Sequence, residues 1–378
     1  MKKKAMSLLL AAAMTATLFA GCGSDNSTDN SAADNTAAST EAGAASDENT
    51  DGYELALVID VGTIDDKSFN QGSWEGVEKY GDENGISYKY YKSAEATTDS
   101  FQETIELAIE GGAKVIVCPG FLFEEPIYNE QTKFPDVKFI LIDGEPHDAD
   151  YNYETAENTM AVLYEEDQAG FLAGYAAVKD GYTKLGFMGG MALPAVIRFG
   201  YGYLAGADYA AEELGVDVDV TYTYTGSFEA TPEAKSMATG WYQSGTEVIF
   251  GCGGSVGNSV MAAAEESDGG KVIGVDVDQS SESETVITSA MKMLSNSVYA
   301  AISSAYDGSF EGGKTTVFDV KNDGVGIAMD TAKFNTFTQE EYDAIYEKLV
   351  AGDITIDNDT TKEVTDLELN HVTVNYVQ

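Results

Sequence analysis

Short, almost wholly apolar runs recur along this chain, each leading into a helical stretch through a turn, and that alternation limits the fold more than any other feature. Residues 55–60 (LALVID) form the first run. Unbroken apolar character over a strand's length marks a parallel strand buried on both faces. Residues 114–119 (KVIVCP), 137–143 (VKFILID), 184–188 (KLGFM), 247–250 (EVIF) and 271–276 (KVIGVD) repeat the pattern, with helical stretches such as 68–84, 102–111 and 234–245 between them. Strand and helix in alternation over roughly 300 residues predict an α/β protein of doubly wound parallel sheets, and the length predicts two lobes. A single closed barrel is the alternative. The segment after Asp276 argues against it, because residues 289–306 read as one helix and residues 315–319 and 326–329 as further strands, which suggests a return crossover.

In open parallel sheets ligands sit beyond the carboxyl ends of the strands. Here several of those ends are Asp60, Asp143, Asp276 and Gly251. A cleft lined by carboxylates follows. Acids also dominate the whole chain: 64 Asp and Glu face 21 Lys and Arg, a net charge of −43 that leaves no phosphate-neutralising surface for a nucleic acid. Three cysteines without a C-x-x-C pair and two histidines are too few for a zinc ribbon, an iron–sulfur site or a disulfide framework. No cofactor or metal is expected.

The amino terminus reads as an address. Lys2, Lys3 and Lys4 precede an apolar run over residues 5–20, too short for a permanent membrane span, that ends in Gly21-Cys22. Small residues before a cysteine resemble a bacterial lipobox, which makes residues 1–21 a signal peptide and Cys22 a lipidated mature terminus. Phe19 stands where leucine is usual, and secretion with cleavage elsewhere is the alternative. Residues 22–52 carry seven acids, no base and no apolar residue larger than alanine after the cysteine, so they cannot bury a core. About 30 such residues span roughly 30 Å as a coil. They are expected to tether a folded body to the outer side of the cytoplasmic membrane.

The densest segment is residues 60–71 (DVGTIDDKSFNQ), between the first strand and the first helix. Asp65, Asp66 and Ser68 suit a helix N-cap and first turn, and Phe69 suits a core. The same residues also suit a binding loop with one aromatic face at the sheet edge. Residues 251–257 (GCGGSVG) lie between a strand and a helix at 258–267, but Val256 occupies the third glycine position of a dinucleotide fingerprint. A tight turn with its N–H groups toward the cleft is the expectation. Cys118 and Cys252 read as buried free thiols. His147 and His371 show no nearby partner of the kind a nucleophile or metal needs, and neither is assigned a role.

Residues 60–71, followed by Trp74-Glu-Gly76, resemble the opening signature of the basic membrane protein family, the purine-nucleoside-binding lipoproteins of ABC transporters. More of the chain agrees in order, including residues 139–143 (FILID), 166–174 (EDQAGFLAG), 186–190 (GFMGG), 226–228 (GSF), 273–279 (IGVDVDQ) and 288–292 (TSAMK). The resemblance implies a two-lobed periplasmic-binding-protein-like fold of the first type, with three crossovers at a hinge and the ligand between lobes. The lobe boundaries are then expected at 53–158 with 280–318, and 159–279 with 319–378. The resemblance further implies that Phe69 stacks on a nucleobase with Asp60 and Asn70 nearby, that Asp276 accepts the ribose diol, and that Lys292 donates on the ribose side. Asp143 and the turn around Gly253 would line the remaining wall. For a second stacking aromatic it implies Phe228, with Tyr224 and Trp241 as alternatives.

Elementary chemistry agrees with these roles. A neutral nucleoside offers a flat base, worth about 1–3 kcal/mol per aromatic stack, and a cis-diol whose hydrogens an ionised carboxylate accepts. A nucleotide would be repelled by so many acids. The expected function is therefore capture of a purine nucleoside and delivery to an ABC permease, without enzymatic activity. Two alternatives differ in class, a hydrolase and a signalling receptor, and one differs only in ligand. A nucleoside hydrolase would use an aspartate cluster for calcium, but Val58 occupies its first position and the gap from Asp60 to Asp65 is one residue too long. A sugar or autoinducer receptor of the same fold would also suit an aromatic with carboxylates. A signalling receptor would need a separate output partner.

Overall fold

Why the apolar runs have no polar face is visible in their packing. In a computed structural model that describes residues 52–377, Leu55, Leu57 and Ile59 of the first strand join one hydrophobic cluster, while Ala56 and Val58 join another on the opposite side. Successive side chains point to opposite faces, so burial on both requires an apolar residue at every position. The expected signal peptide, the lipidation site Cys22 and the tether up to residue 51 lie outside the described residues.

Six strands form the first sheet: β1 (Leu55–Ile59), β2 (Tyr88–Lys92), β3 (Val115–Pro119), β4 (Lys138–Ile142), β5 (Thr159–Tyr164) and, much later in the chain, β11 (Lys314–Phe318). Seven form the second: β6 (Lys184–Gly189), β7 (Val218–Tyr224), β8 (Val248–Cys252), β9 (Lys271–Asp276), β10 (Val286–Lys292), β12 (Val325–Ile327) and β13 (Val372–Tyr376). The orders are β11-β5-β4-β3-β1-β2 and β12-β10-β9-β8-β6-β7-β13. Every pairing is parallel except that of β10 with the short β12. Nine α-helices are described: α1 (Phe69–Asn84), α2 (Thr98–Glu110), α3 (Glu124–Lys133), α4 (Glu166–Lys179), α5 (Pro194–Leu214), α6 (Pro232–Gln243), α7 (Val256–Glu265), α8 (Leu294–Asp307) and α9 (Gln339–Ala351).

Two open sheets exclude the single barrel. The chain passes between them three times: from β5 into α4, from β10 into α8, and from β11 toward β12. Two of the expected boundaries fall one strand early. β5, assigned to the second lobe by the break at residue 158, pairs with β4 in the first sheet, and β10, assigned to the first lobe by the break at 279, pairs with β9 in the second. The expected single helix over 289–306 is corrected for the same reason. Its first four residues, Ser289 to Lys292, end β10, held between β9 and β12, and the helix starts at Leu294. Ala, Met and Lys favour a helix on local propensity, and strand pairing on both sides overrides it.

One helix pair matters for the site. α4 and α5 cross so closely that a Cβ on Gly174 would fall 2.0 Å from the Tyr203 carbonyl oxygen, and one on Gly206 1.9 Å from that of Phe171. Any side chain there would force the helices apart. Their contact sets Glu166, at the start of α4, beside Arg198, in the second turn of α5.

Candidate functional site

The segment between β1 and α1 begins with Asp60, whose Oδ1 accepts the Gly62 N–H at 2.8 Å. A Cβ on Gly62 would lie 2.7 Å from Asn70 Nδ2 and 2.8 Å from Asp60 Oδ1, so Asp60 and Asn70 close around this glycine and would have to shift for any larger residue. Asp66 supplies the helix cap. Its carboxylate accepts the N–H groups of Ser68 at 2.9 Å, Asn70 at 3.0 Å and Gln71 at 3.1 Å, satisfying donors that begin α1. Burial pushes the Asp66 carboxyl above its ordinary value, opposed by those three bonds. Ser68 is thereby released from capping, and its hydroxyl donates to Asp276 Oδ2 at 2.5 Å, from the first lobe to the second.

Asp143 follows β4 and Asp276 ends β9, and both have left-handed backbones, with φ of 61° and 66°. Residues other than glycine adopt that region rarely and at a cost of order 1–3 kcal/mol, which persists where surrounding structure enforces it. Between the two acids lies Lys292, at the end of β10 and 3% exposed. Its ammonium donates to Asp143 and lies 3.0 Å from Glu166 Oε1, while Arg198 Nε donates to Glu166 Oε2 at 2.6 Å. A chain of alternating charge therefore runs Asp143–Lys292–Glu166–Arg198, its two middle members buried and its ends partly so. The same ammonium stands 5.1 Å from the ring centroids of Phe69 and Tyr164 and 5.5 Å from that of Phe199.

Burial and charge compete at each member. Burial opposes ionisation of Lys292, but Asp143, Glu166 and Asp276 outweigh it and hold the ammonium well above its ordinary value. Burial likewise opposes ionisation of Glu166, and Lys292 with Arg198 overcomes it, leaving this carboxyl below its usual range. Asp143 has Lys292 but no arginine, and burial pushes it up to about 6. Its Oδ1 is buried without a hydrogen-bond partner. Asp276 is also raised by burial, against the pull of Lys292 and the Ser68 hydroxyl.

Phe228 and Gly253 form a separate group on the second sheet. The Phe228 ring covers the turns after β6 and β8, where a Cβ on Gly190 would come within 2.4 Å of it and one on Gly253 within 3.0 Å. Gly253 has φ of 137°, open only to glycine. Of the alternative aromatics, Trp241 is buried in α6 against Gly186 and Ile249, away from the strand ends. Tyr224 ends β7 with its hydroxyl 2.8 Å from that of Tyr222.

Reading the sequence missed Ser68 as a partner of Asp276, and missed Glu166, Arg198, Tyr164 and Phe199 around Lys292. One signal was present: Arg198 is the only arginine in the chain. Arginine is the cation suited to a buried ion pair. The free thiols of Cys118 and Cys252 are buried, as expected. The histidines do gain acidic neighbours through folding, His147 Nε2 lying 3.3 Å from Glu124 Oε2 and His371 Nδ1 3.6 Å from Asp217 Oδ1. A cavity of about 330 Å³ opens beside β10 between Met291, Met293 and Met329, with Asp278 and Asp330 at its wall. Lys292, pointing to the other face of the strand, is not part of it.

Two parallel sheets joined by three crossings, with charged and aromatic side chains of both collected at their carboxyl edges, are the architecture of the two-lobed periplasmic-binding-protein fold. A solved solute-binding protein of an ABC transporter system from Aeropyrum pernix K1 is similar in fold, with a TM-score of 0.69 and 24% identity over 80% of this chain and 92% of that one. The chain belongs to the family described as ABC transporter substrate-binding protein PnrA-like, whose model matches residues 53–361. Among its curated relatives is the ABC transporter nucleoside-binding protein BmpA of Lactococcus lactis, 29% identical over 94% of this chain and 99% of that protein. Basic membrane protein A1 of Borrelia garinii is 30% identical over 80% of this chain and 88% of its own.

Proposed function

We propose that the protein captures a purine nucleoside between its lobes, outside the cytoplasmic membrane and anchored by lipid on Cys22, and hands it to the transporter's permease. The observation that carries this reading is the convergence of Phe69, Asp143, Asp276 and Lys292 from both sheets on one buried point. Phe69 stacks on the base, with Asp60 and Asn70 bonding its edge. Phe228, above Gly253, covers the opposite side. Asp276 accepts the ribose hydroxyls in place of the Ser68 hydroxyl that it now holds, and Lys292 donates to the ribose. Asp143 walls the far side. The name of the Lactococcus relative supports a nucleoside, and the excess of carboxylates over cations favours a neutral ligand over a nucleotide. Lobe closure excludes water from this site and strengthens each of these contacts.

A hydrolase reading finds less support. Asp66 is committed to three backbone N–H groups as a helix cap, and among the described residues Asp60, Asp65 and Asp66 do not gather into a group that could hold a metal ion. Among the described residues no helix is long and apolar enough to cross a membrane, which suits anchoring through the amino terminus.

A thermal-shift screen of the chain from residue 23, against nucleosides, free bases, nucleotides, ribose and hexoses, tests the proposal. Ligand at about 100 times its dissociation constant adds roughly 2.7 kcal/mol to stability. Shifts with purine nucleosides and none with nucleotides or sugars are expected. A response to hexoses alone would overturn the ligand, and release of free base would overturn the non-enzymatic role.

A further inference from the structure

The loop between β4 and β5 holds two tyrosines out of the molecule on a rigid support. Tyr151 is 69% exposed and Tyr153 60%, more than any other large apolar or aromatic side chain described. Asp148 Oδ1 accepts the N–H groups of Asp150 and Asn152, each at 2.9 Å, and its Oδ2 accepts Asn152 Nδ2 at 2.8 Å. His147 and Tyr153 form an antiparallel bridge below this turn. The His147 ring, 8% exposed, stacks on Tyr151 with centroids 4.6 Å apart and meets Tyr153 at 5.1 Å. Its Nδ1–H donates to the Asp148 carbonyl at 2.7 Å, and its Nε2 faces Glu124, the first residue of α3. Tyr151 takes a left-handed backbone, φ 60°, to complete the tip.

None of this buries either tyrosine. A strained tip, a clamped turn and a histidine between the rings keep two aromatic faces in solvent at fixed positions, which removes the ordering cost of a contact made by flexible side chains. Location narrows the partner. Asp143 leads directly into the loop and Glu124 starts just beyond β3, so the tip lies on the carboxyl edge of the first sheet, the edge where the candidate site lies and where Val61 is also 41% exposed. A membrane subunit that takes a ligand from between the sheets comes close to the edges that line it, and the tip stands beside β5 and β11, where the chain crosses between the sheets. Charge narrows it further. Glu145, Asp148, Asp150, Glu154 and Glu157 flank the tip, and no lysine or arginine occurs from residue 139 to 178.

We propose that the Tyr151–Tyr153 tip is a docking element for the transporter's membrane subunit, received by a basic patch whose arginines stack on the two rings while the flanking acids answer their charge. The proposal goes beyond the nucleoside reading and depends on delivery to a permease, not on which ligand is delivered.

A photo-crosslinking residue placed at Tyr153 of the full chain in its own cells tests it, with the same residue at Leu107 as control. Leu107 is 50% exposed near the end of α2, at the opposite edge of the sheet. The adduct at 153 is expected to contain a transmembrane subunit of an ABC transporter, identified by mass spectrometry, and to weaken at high salt, with none at 107. The double variant Tyr151→Ser/Tyr153→Ser should lower nucleoside uptake at least tenfold while the purified variant keeps the parent's thermal midpoint and ligand affinity. Equal adducts at both positions, an adduct with wall polymer or a second copy, or unchanged uptake would overturn the proposal. A parent that binds no nucleoside would overturn the ligand reading, and the crosslink would still report on the docking surface.

Discussion

Asp143 and Asp276 hold corresponding places in the two lobes, each at the end of a central parallel strand with a left-handed backbone, yet they meet different partners. Asp143 faces an ammonium from the opposite lobe; Asp276 faces a hydroxyl from the opposite lobe. A buried carboxylate loses several kcal/mol if an ionic partner is withdrawn, whereas one hydroxyl can be exchanged for another at little net cost. The first contact is therefore a fixed tie and the second an exchangeable one. Ligand chemistry belongs at the exchangeable end.

The sharpest way to break this comparison is to remove the shared cation. Lys292→Met leaves Asp143 and Glu166 buried with Arg198 alone to answer them, and should destabilise the protein by about 3–5 kcal/mol in urea unfolding. A loss below about 1 kcal/mol would mean that the tie is not structural. The pH dependence separates the two acids further. Burial raises the folded Asp143 carboxyl to about 6, above its ordinary value of 3.8, so in this interval the folded state holds a proton that the unfolded state has lost. Its contribution is fully present below the unfolded value and disappears as pH rises through about 6. Asp143→Asn should flatten the fall in stability between pH 4 and 6, measured as denaturant midpoints, and an unchanged slope would assign that fall elsewhere.

Phe69→Ala tests the aromatic wall beside both acids. It should weaken nucleoside binding by about 1–3 kcal/mol, the worth of one stacked base, while changing the unfolding midpoint far less. Equal affinity would remove Phe69 from the site. Ser68→Ala is the smallest effect and has the opposite sign. Without the competing hydroxyl on Asp276, nucleoside affinity should rise by about 0.5–1.5 kcal/mol in calorimetric titration. Weaker binding would show that Ser68 helps to hold the ligand rather than its place.

How much of this was visible in the chain follows from what kind of interaction defines each part. β1, β3, β4 and β9 are continuous apolar runs, so burial on both faces announces them. β2 (YKYYK), β7 (VDVTYTY) and β13 (VTVNY) lie at or near sheet edges, mix polar with aromatic residues, and were not read as strands. The last four residues of β10 read as the start of a helix because Ala, Met and Lys favour one locally, while the strands that pair with them are not adjacent in the pattern. Phe69, Asp276 and Lys292, which the fold brings close together, stood out through motifs that resemble a family, Lys292 through that resemblance alone. The bond from Ser68 to Asp276 spans 208 residues, and the one from Arg198 to Glu166 depends on two helices meeting through glycines. Neither has a local pattern. A lone arginine was the one clue.

The exchange at Asp276 is the centre of the account, and one calorimetric comparison tests it: guanosine against 2′,3′-dideoxyguanosine, in the parent and in Asp276→Asn. If the Asp276 carboxylate takes ribose hydroxyls in place of Ser68, the parent prefers guanosine by about 1.5–3 kcal/mol, the worth of hydrogen bonds to a charged group, and the variant loses most of that preference. The same preference in both proteins would contradict it.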